Sequence, residues 1–246
     1  MSSLGLPHAG GWLSVVPSPA LGLRLGASGF VPVVGCRLGV PVCSAGGPCP
    51  ACAAPGGRVG DRSLGCGTAG DGMARRSMLG DVLFGAAAGA DLGPAGEGGH
   101  LLPGTSARPG DVAVRRWMGG GDGAVDVAVA GPLCPSSVDG AAAQAGTALE
   151  RACGRGAREG AEACRREGVA FLPFALEALG GLHRGAVVRV GLMGTALAGC
   201  KGVDQGGATG RLFGRLSLIL MRAGSLMLST RCQDADFPSP TIDGIE

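Results

Sequence analysis

The chain has 246 residues, and its 50 glycines and 16 prolines make up about 27% of it, a share typical of low-complexity chain. No Gly-X-Y repeat accompanies this content, so a collagen-like triple helix is excluded. A net charge of +2 does not by itself indicate a polyanionic partner. The chain has few large aromatic residues, with six phenylalanines, two tryptophans and no tyrosine, so we expect a thin core. Lys201 is the one lysine among 21 basic residues, and asparagine is missing. This usage is typical of a GC-rich gene, so the glycine content carries little structural weight.

Residues 1–42 show no sustained helical or strand periodicity and contain no acidic residue, so we expect a long disordered segment rich in glycine and proline. Prolines and glycines interrupt the first twenty residues, which argues against a secretory signal peptide. No apolar run of ~18 residues predicts a membrane span. We therefore expect an intracellular protein without a membrane partner. In that setting ten cysteines favour metal ligands or free thiols over disulfides.

The next segment, 43–72, is rich in cysteine and glycine. Cys49 and Cys52 have the spacing of a zinc knuckle, and Cys66 is a third candidate ligand. No fourth ligand is evident, although Cys43 could supply one from upstream. The alternative is three free thiols in a loop.

The rest of the chain predicts a small α/β fold, a mixed sheet with flanking helices. Apolar residues at three- and four-residue spacing predict a helix over 73–90. Alternation over 111–116 and 124–130, separated by MGGGDG, predicts an antiparallel hairpin. The remaining predicted elements are a helix over 138–167, a strand over 169–176, helices over 182–199 and 207–229, and a frayed tail over 231–246.

Asp111 and Asp126 lie in the two strands of the predicted hairpin. Alternation places both carboxylates on one face and five valines on the other, and a turn near residues 119–120 puts Asp126 opposite Ala113. Two carboxylates on adjacent strands can bind one divalent cation, which then activates water. The alternative is a pair of surface aspartates beside a glycine turn.

Taken in order, these motifs resemble the C-terminal part of reverse-transcriptase polyproteins from non-LTR retroelements. In that family a Cys/His zinc knuckle precedes a restriction-like endonuclease domain of the PD-(D/E)XK type. The resemblance covers about residues 43–225. It rests on CPAC (49–52), GDR (60–62), Cys66, GDGMARRS (70–77), LGDVLF (79–84), HLLPG (100–104), RPGDVAV (108–114), Trp117, AVDVAVAGPL (124–133), AC (163–164), GVAFLPFALEALGG (168–181) and RLSLILMR (215–222).

The resemblance implies DNA as the partner, Zn²⁺ at the knuckle and Mg²⁺ at the nuclease site. Asp111 and Asp126 would bind the Mg²⁺, and Glu97 or Glu177 would assist. It also implies a division of the chain into a disordered segment (1–42), a degenerate knuckle (43–77), an endonuclease-like core (78–181), C-terminal helices (182–230) and a tail (231–246).

Three departures from the family pattern point to a decayed copy. Arg62 and Arg76 stand at the two histidine positions of the knuckle, and Glu159-Gly160 stands where the family has Lys-Tyr. Because arginine does not ligate zinc, we expect weak zinc binding at best. Because Glu159 puts a negative charge where the family has a positive one, we expect no nuclease activity.

The resulting expectation is a retroelement-derived, endonuclease-like fragment that no longer cleaves DNA and would be nuclear if functional. One alternative is a non-enzymatic nucleic-acid-binding module, whose DNA binding would depend on salt. The other is the non-functional product of a GC-rich open reading frame.

Overall fold

The computed structural model describes residues 2–43, 48–66, 70–96, 101–102 and 109–232. Within these ranges the chain is an α/β protein with one small mixed sheet and flanking helices, as the patterns of alternation and helical spacing predict.

Four strands form the sheet and lie side by side in chain order: β1 (Pro94–Gly96), β2 (Val112–Trp117), β3 (Gly121–Ala130) and β4 (Ala170–Glu177). β2 is antiparallel to both of its neighbours, β1 and β3, and β4 runs parallel to β3. The edge position of β4 tolerates Pro173, because no outer strand needs the N–H that proline lacks.

The helices confirm most of the predicted helical spans. They are α1 (Ala27–Leu38), α2 (Asp61–Gly65), α3 (Asp71–Gly89), α4 (Val138–Ala143), α5 (Thr147–Gly156), a π-helical turn (Ala157–Ala161), α6 (Glu162–Arg166), α7 (Arg184–Lys201) and α8 (Gln205–Arg231). The continuous helix predicted over 138–167 is wrong. Gly146 has a φ of 86°, in the left-handed region, and separates α4 from α5.

The predicted hairpin is confirmed, and its two faces differ as the alternation requires. Val112, Val114, Val125 and Val127 are buried in the main core, together with residues of α3, α7 and α8. The alanines between them lie on the opposite face, in two smaller clusters shared with the α5 and α6 region. Burial of the valine face therefore determines which side the aspartates take.

The predicted register of the hairpin is wrong by two residues. Ala113 pairs with Ala124 rather than with Asp126, and Val112 pairs with Val125. One residue of the difference comes from the turn, because Trp117 pairs with Gly121. The other comes from a bulge between Val114 and Trp117, where β2 has one more residue than β3.

The N-terminal segment packs on α8, and the predicted disorder of residues 1–42 is not confirmed. Trp12 is buried and packs edge-on against Phe30 of α1, with 5.6 Å between ring centroids. The ring of His8 stacks on Phe213 of α8 at 3.6 Å. Arg222 of α8 also donates hydrogen bonds to backbone carbonyls of this segment. The few apolar residues of the N-terminal segment are thus buried against α8, a contact that no local sequence pattern predicts.

Cys43 and Cys232 form a disulfide, which corrects two expectations. For an intracellular protein the sequence predicts free thiols or metal ligands rather than disulfides, and it offers Cys43 as a candidate fourth zinc ligand. The bond instead ties the end of the N-terminal segment to the end of α8. The tail beyond it, 233–246, lies outside the described residues.

The last helix, α8, is long and apolar enough to cross a membrane by length and composition alone. Most of its apolar stretch is buried inside the protein, and the core helix of a soluble protein passes the same test. Leu212, Leu216 and Leu220 are buried against the rest of the core, as its predicted apolar stripe requires.

We expect Val127→Ala to lower the free energy of unfolding by roughly 2–3 kcal/mol, because two methyl groups leave a fully buried site of the valine face. Val188→Ala on α7 is the control: that side chain is 61% exposed and the change should stay within about 0.5 kcal/mol. Urea unfolding of both variants measures the difference. Equal losses would contradict the burial of Val127 in the core.

Candidate metal sites

The two candidate nuclease aspartates lie together on the alanine face of the sheet. Asp111 directly precedes β2 and is one residue beyond the Val112–Val125 pair, so it faces Asp126 of β3. Its backbone N–H donates to the carbonyl of Val125 at 2.8 Å, and its Oδ2 accepts from the N–H of Val127 at 2.7 Å. The backbone and the carboxylate of Asp111 thereby extend the hydrogen bonding to β3 by one residue before β2 begins.

Arg76 of α3 lies between the two aspartates. Its Nη2 is 3.3 and 3.2 Å from the two carboxylate oxygens of Asp111 and 3.3 Å from Oδ1 of Asp126. One nitrogen therefore contacts three carboxylate oxygens of two residues. With this guanidinium in place, the aspartate pair does not fit a divalent cation, which needs the same oxygens at about 2.0–2.6 Å.

The π-helical turn after α5 packs beside the aspartate pair. A Cβ atom at Gly156 would overlap Oδ2 of Asp126, so only glycine allows this approach. A Cβ atom at Gly160 would lie 3.4 Å from the carbonyl oxygen of Pro109, two residues before Asp111. The backbone of the Glu159-Gly160 motif is thus near the candidate site. The side chain of Glu159 is outside the described structure.

Of the two assisting glutamates, Glu177 lies away from the aspartate pair and Glu97 lies outside the described residues. In the parallel pairing of β3 with β4, Asp126 is opposite Pro173 and Ala130 is opposite Glu177. Glu177 is four residues beyond Pro173 in β4, which separates it from Asp126 by about 13 Å along the strand direction. Glu177 is fully buried, so burial raises the pKa of its carboxyl, and a hydrogen bond with Ser3 partly opposes that shift. Glu177 therefore lies too far from the aspartate pair to bind the same cation.

The three candidate zinc ligands do lie together. The sulfur atoms of Cys49, Cys52 and Cys66 are all within 4.8 Å of one another. Sulfurs bound tetrahedrally to one zinc at about 2.3 Å are about 3.8 Å apart, so the three residues fit a zinc ion after small side-chain rotations.

A tight turn brings the first two of these sulfurs together. The N–H groups of Cys52 and Ala53 donate to the carbonyl of Cys49 at 3.3 and 2.8 Å, and the N–H of Cys49 donates to Ala54 at 2.8 Å. Ala53 has a φ of 55°, in the region that favours glycine. Cys66 reaches the turn from the end of α2.

Arg62 of α2 provides a positive charge at the thiol cluster. Its Nη2 donates to Sγ of Cys52 at 3.0 Å. Hydrogen bonds, first from the backbone of Ala54 and then from Arg62, lower the pKa of the Cys52 thiol to about 6. Cys52 is therefore mostly thiolate at neutral pH.

Arginine thus reaches both candidate metal sites, at the two positions where the resemblance implies histidine. The sequence marks Arg62 and Arg76 as departures but does not show where either guanidinium lies. Arg76 is 35 residues from Asp111, and only the packing of α3 on the sheet brings them together.

We expect Cys52 to be alkylated faster than the exposed Cys200 at pH 7 in the presence of a chelator, with a pH midpoint of about 6. Arg62→Ala should move that midpoint upward, because the thiolate loses a hydrogen bond and a nearby positive charge. Arg58→Ala removes an exposed arginine from the same segment and should leave the midpoint unchanged. Mass spectrometry of iodoacetamide adducts measures both rates, and equal reactivity of the two cysteines would contradict the expectation.

We expect Glu177→Gln to be increasingly stabilising, relative to the natural protein, as pH rises from 4 to 8. The folded-state pKa of Glu177 is raised, so its contribution to stability is full below the ordinary value of 4.5 and is lost as pH rises through the folded value. Glutamine stays neutral throughout. Urea unfolding at both pH values tests this, with the exposed Glu167→Gln as control. A difference that does not grow with pH would contradict it.

Comparisons of the chain with protein-family models, with curated proteins and with solved structures found no match.

Proposed function

We propose that this chain is an endonuclease-like domain of retroelement origin that no longer cleaves DNA. The observation that carries the proposal is the position of Arg76, whose Nη2 contacts both Asp111 and Asp126 at 3.2–3.3 Å. The paired aspartates on adjacent strands support the PD-(D/E)XK resemblance, and the guanidinium between them supports the loss of activity. A reverse-transcriptase reading frame directly upstream in the genome would test the origin.

The chemistry of guanidinium explains why the pair would be inactive. A bound divalent cation lowers the pKa of its water and stabilises the charge that develops on the phosphate. A guanidinium has one positive charge, has no vacant coordination position and does not ionise water. Arg76 can therefore offset one of the two negative charges of the aspartate pair but cannot replace the metal in catalysis.

Exposed arginines beside the aspartate pair favour a second candidate, DNA binding without cleavage. The region from α5 to α6 contacts Asp126 through Gly156 and exposes Arg151, Arg155, Arg158, Arg165 and Arg166. Arg165 and Arg166 share Glu162, and Arg151 donates to a backbone carbonyl. Such a surface binds phosphates through counterion release, so its affinity should fall steeply with salt.

We expect no nicking of supercoiled plasmid by the natural protein with Mg²⁺ or Mn²⁺. Nicking that depends on either metal and disappears in Asp111→Ala would overturn the proposal. The same preparations, titrated with a labelled duplex at several salt concentrations, test the DNA-binding candidate. Affinity that is independent of salt, or no binding at low salt, would contradict that candidate.

We expect Arg76→Ala to bind Mn²⁺ at least about tenfold more tightly than the natural protein, a difference of about 1.4 kcal/mol. The variant leaves the two carboxylates facing each other without the guanidinium, which both opens the position and removes a repelling charge. Electron paramagnetic resonance of free Mn²⁺ measures the affinity. Arg115→Ala is the matched control, because Arg115 pairs with the single carboxylate of Asp122 in the same hairpin. Equal Mn²⁺ affinity in the natural protein and both variants would show that Arg76 does not block the pair.

A further inference from the structure

The thiol cluster lacks a fourth ligand in its own segment, and Cys134 provides one from a distant part of the chain. We infer that a soft divalent cation such as Zn²⁺ would be held by four thiolates, those of Cys49, Cys52, Cys66 and Cys134. The inference rests on the thiol metal site described above and adds a ligand that the spacing of the cysteines does not reveal.

The position of Cys134 carries the inference. Its sulfur is 3.7 Å from the carbonyl oxygen of Gly65, the residue directly before Cys66. The backbone of Cys134 holds a turn between β3 and α4, donating to the carbonyl of Gly131 at 3.2 Å and accepting from Ser137 at 2.8 Å. The thiol is half-buried and lies against the end of α2, on the turn between β3 and α4.

Two glycines leave the space that the Cys134 sulfur occupies. A Cβ atom at Gly65 or at Gly131 would overlap it, so a larger residue at either position would displace the sulfur. Both glycines have backbone angles outside the left-handed region, so their conformation does not require glycine. Their lack of a side chain allows the close approach of the thiol in this rotamer.

The charge of Cys66 acts on the Cys134 thiol, so the two sulfurs are electrostatic neighbours. Cys134 is not among the sulfurs that all lie within 4.8 Å of one another. Rotation about the Cα–Cβ bond moves a cysteine sulfur by roughly 3 Å between staggered rotamers. The inferred site requires such a rotation, together with shifts of the other three side chains, to bring the four sulfurs to about 3.8 Å from one another.

The charges around the cluster suit four thiolates, which with a dication have a net charge of −2. Arg62 donates to Cys52, and Arg75 donates to the carbonyl of Leu64, two residues before Cys66. Burial raises the pKa of the Cys134 thiol, and the charges of Arg62 and Arg75 oppose that shift. Two guanidiniums therefore offset the negative charge of the occupied site.

Two other cysteines are less suited to be the fourth ligand. Cys43, the candidate from the sequence, is bonded to Cys232. Cys36 lies against Gly60 but is part of the apolar core, where burial first and then Asp61 raise the pKa of its thiol to about 12.

An anaerobic Co²⁺ titration of the full chain tests the inference. We expect one Co²⁺ per chain with tetrahedral ligand-field bands and the thiolate-to-cobalt charge-transfer intensity of four sulfurs. Cys134→Ser should lose about a quarter of that intensity and bind at least about tenfold more weakly. Cys36→Ser and Cys200→Ser are the controls, and both should match the natural protein.

X-ray absorption of the zinc-loaded natural protein gives a second readout that needs no variant. Four sulfurs at about 2.3 Å support the inference, and three sulfurs with one nitrogen or oxygen overturn it. Metal binding that Cys52→Ser weakens but Cys134→Ser does not would overturn the fourth ligand alone. No Co²⁺ or Zn²⁺ binding at micromolar protein would overturn the whole thiol site, while leaving the aspartate pair and the proposed loss of cleavage untouched.

Discussion

Burial of one face of the β2–β3 hairpin is the constraint on which the rest of the structure depends. Four valines of that face lie in the core with α3, α7 and α8, so the alternate positions must face the α5 and α6 region. A slip of one residue would bury Asp111 and Asp126 and expose the valines. Packing of valines, rather than any polar interaction, therefore brings the two carboxylates to one surface.

The aspartate pair then needs a positive charge, and α3 supplies it. The same helix buries Leu79 and Leu83 against the valine face, and Arg76 lies about one turn earlier in the helix. Like charges that face each other across strands destabilise a sheet. Because Arg76 is about 42% exposed, its contribution to folding is small.

Arginine is also buried near the thiol cluster, where α2, α3 and α8 meet. Arg75 is 6% exposed, and burial first and then the charge of Arg231 lower the pKa of its guanidinium to about 10, so it remains charged at neutral pH. Arg231 pairs with Asp71 at 2.7 Å and donates to the carbonyl of Ser63. These contacts join the end of the last helix to the segment that carries Cys66. The disulfide at Cys232 lies directly beside them, so the end of the N-terminal segment and the end of α8 meet near the thiol cluster.

The sequence by itself determined the α/β class, the hairpin with its two faces, the two long C-terminal helices and the association of Cys49 with Cys52. Each depends on local periodicity or on short spacing, which neighbouring residues set without help from the rest of the chain. Only the tertiary structure decided the packing of the N-terminal segment on α8, the Cys43–Cys232 bond, the bulge that sets Asp111 opposite Asp126, and the positions of Arg62, Arg76 and Cys134. These features join residues far apart in the chain, so they depend on how the elements pack, and no periodicity along a single element encodes that packing.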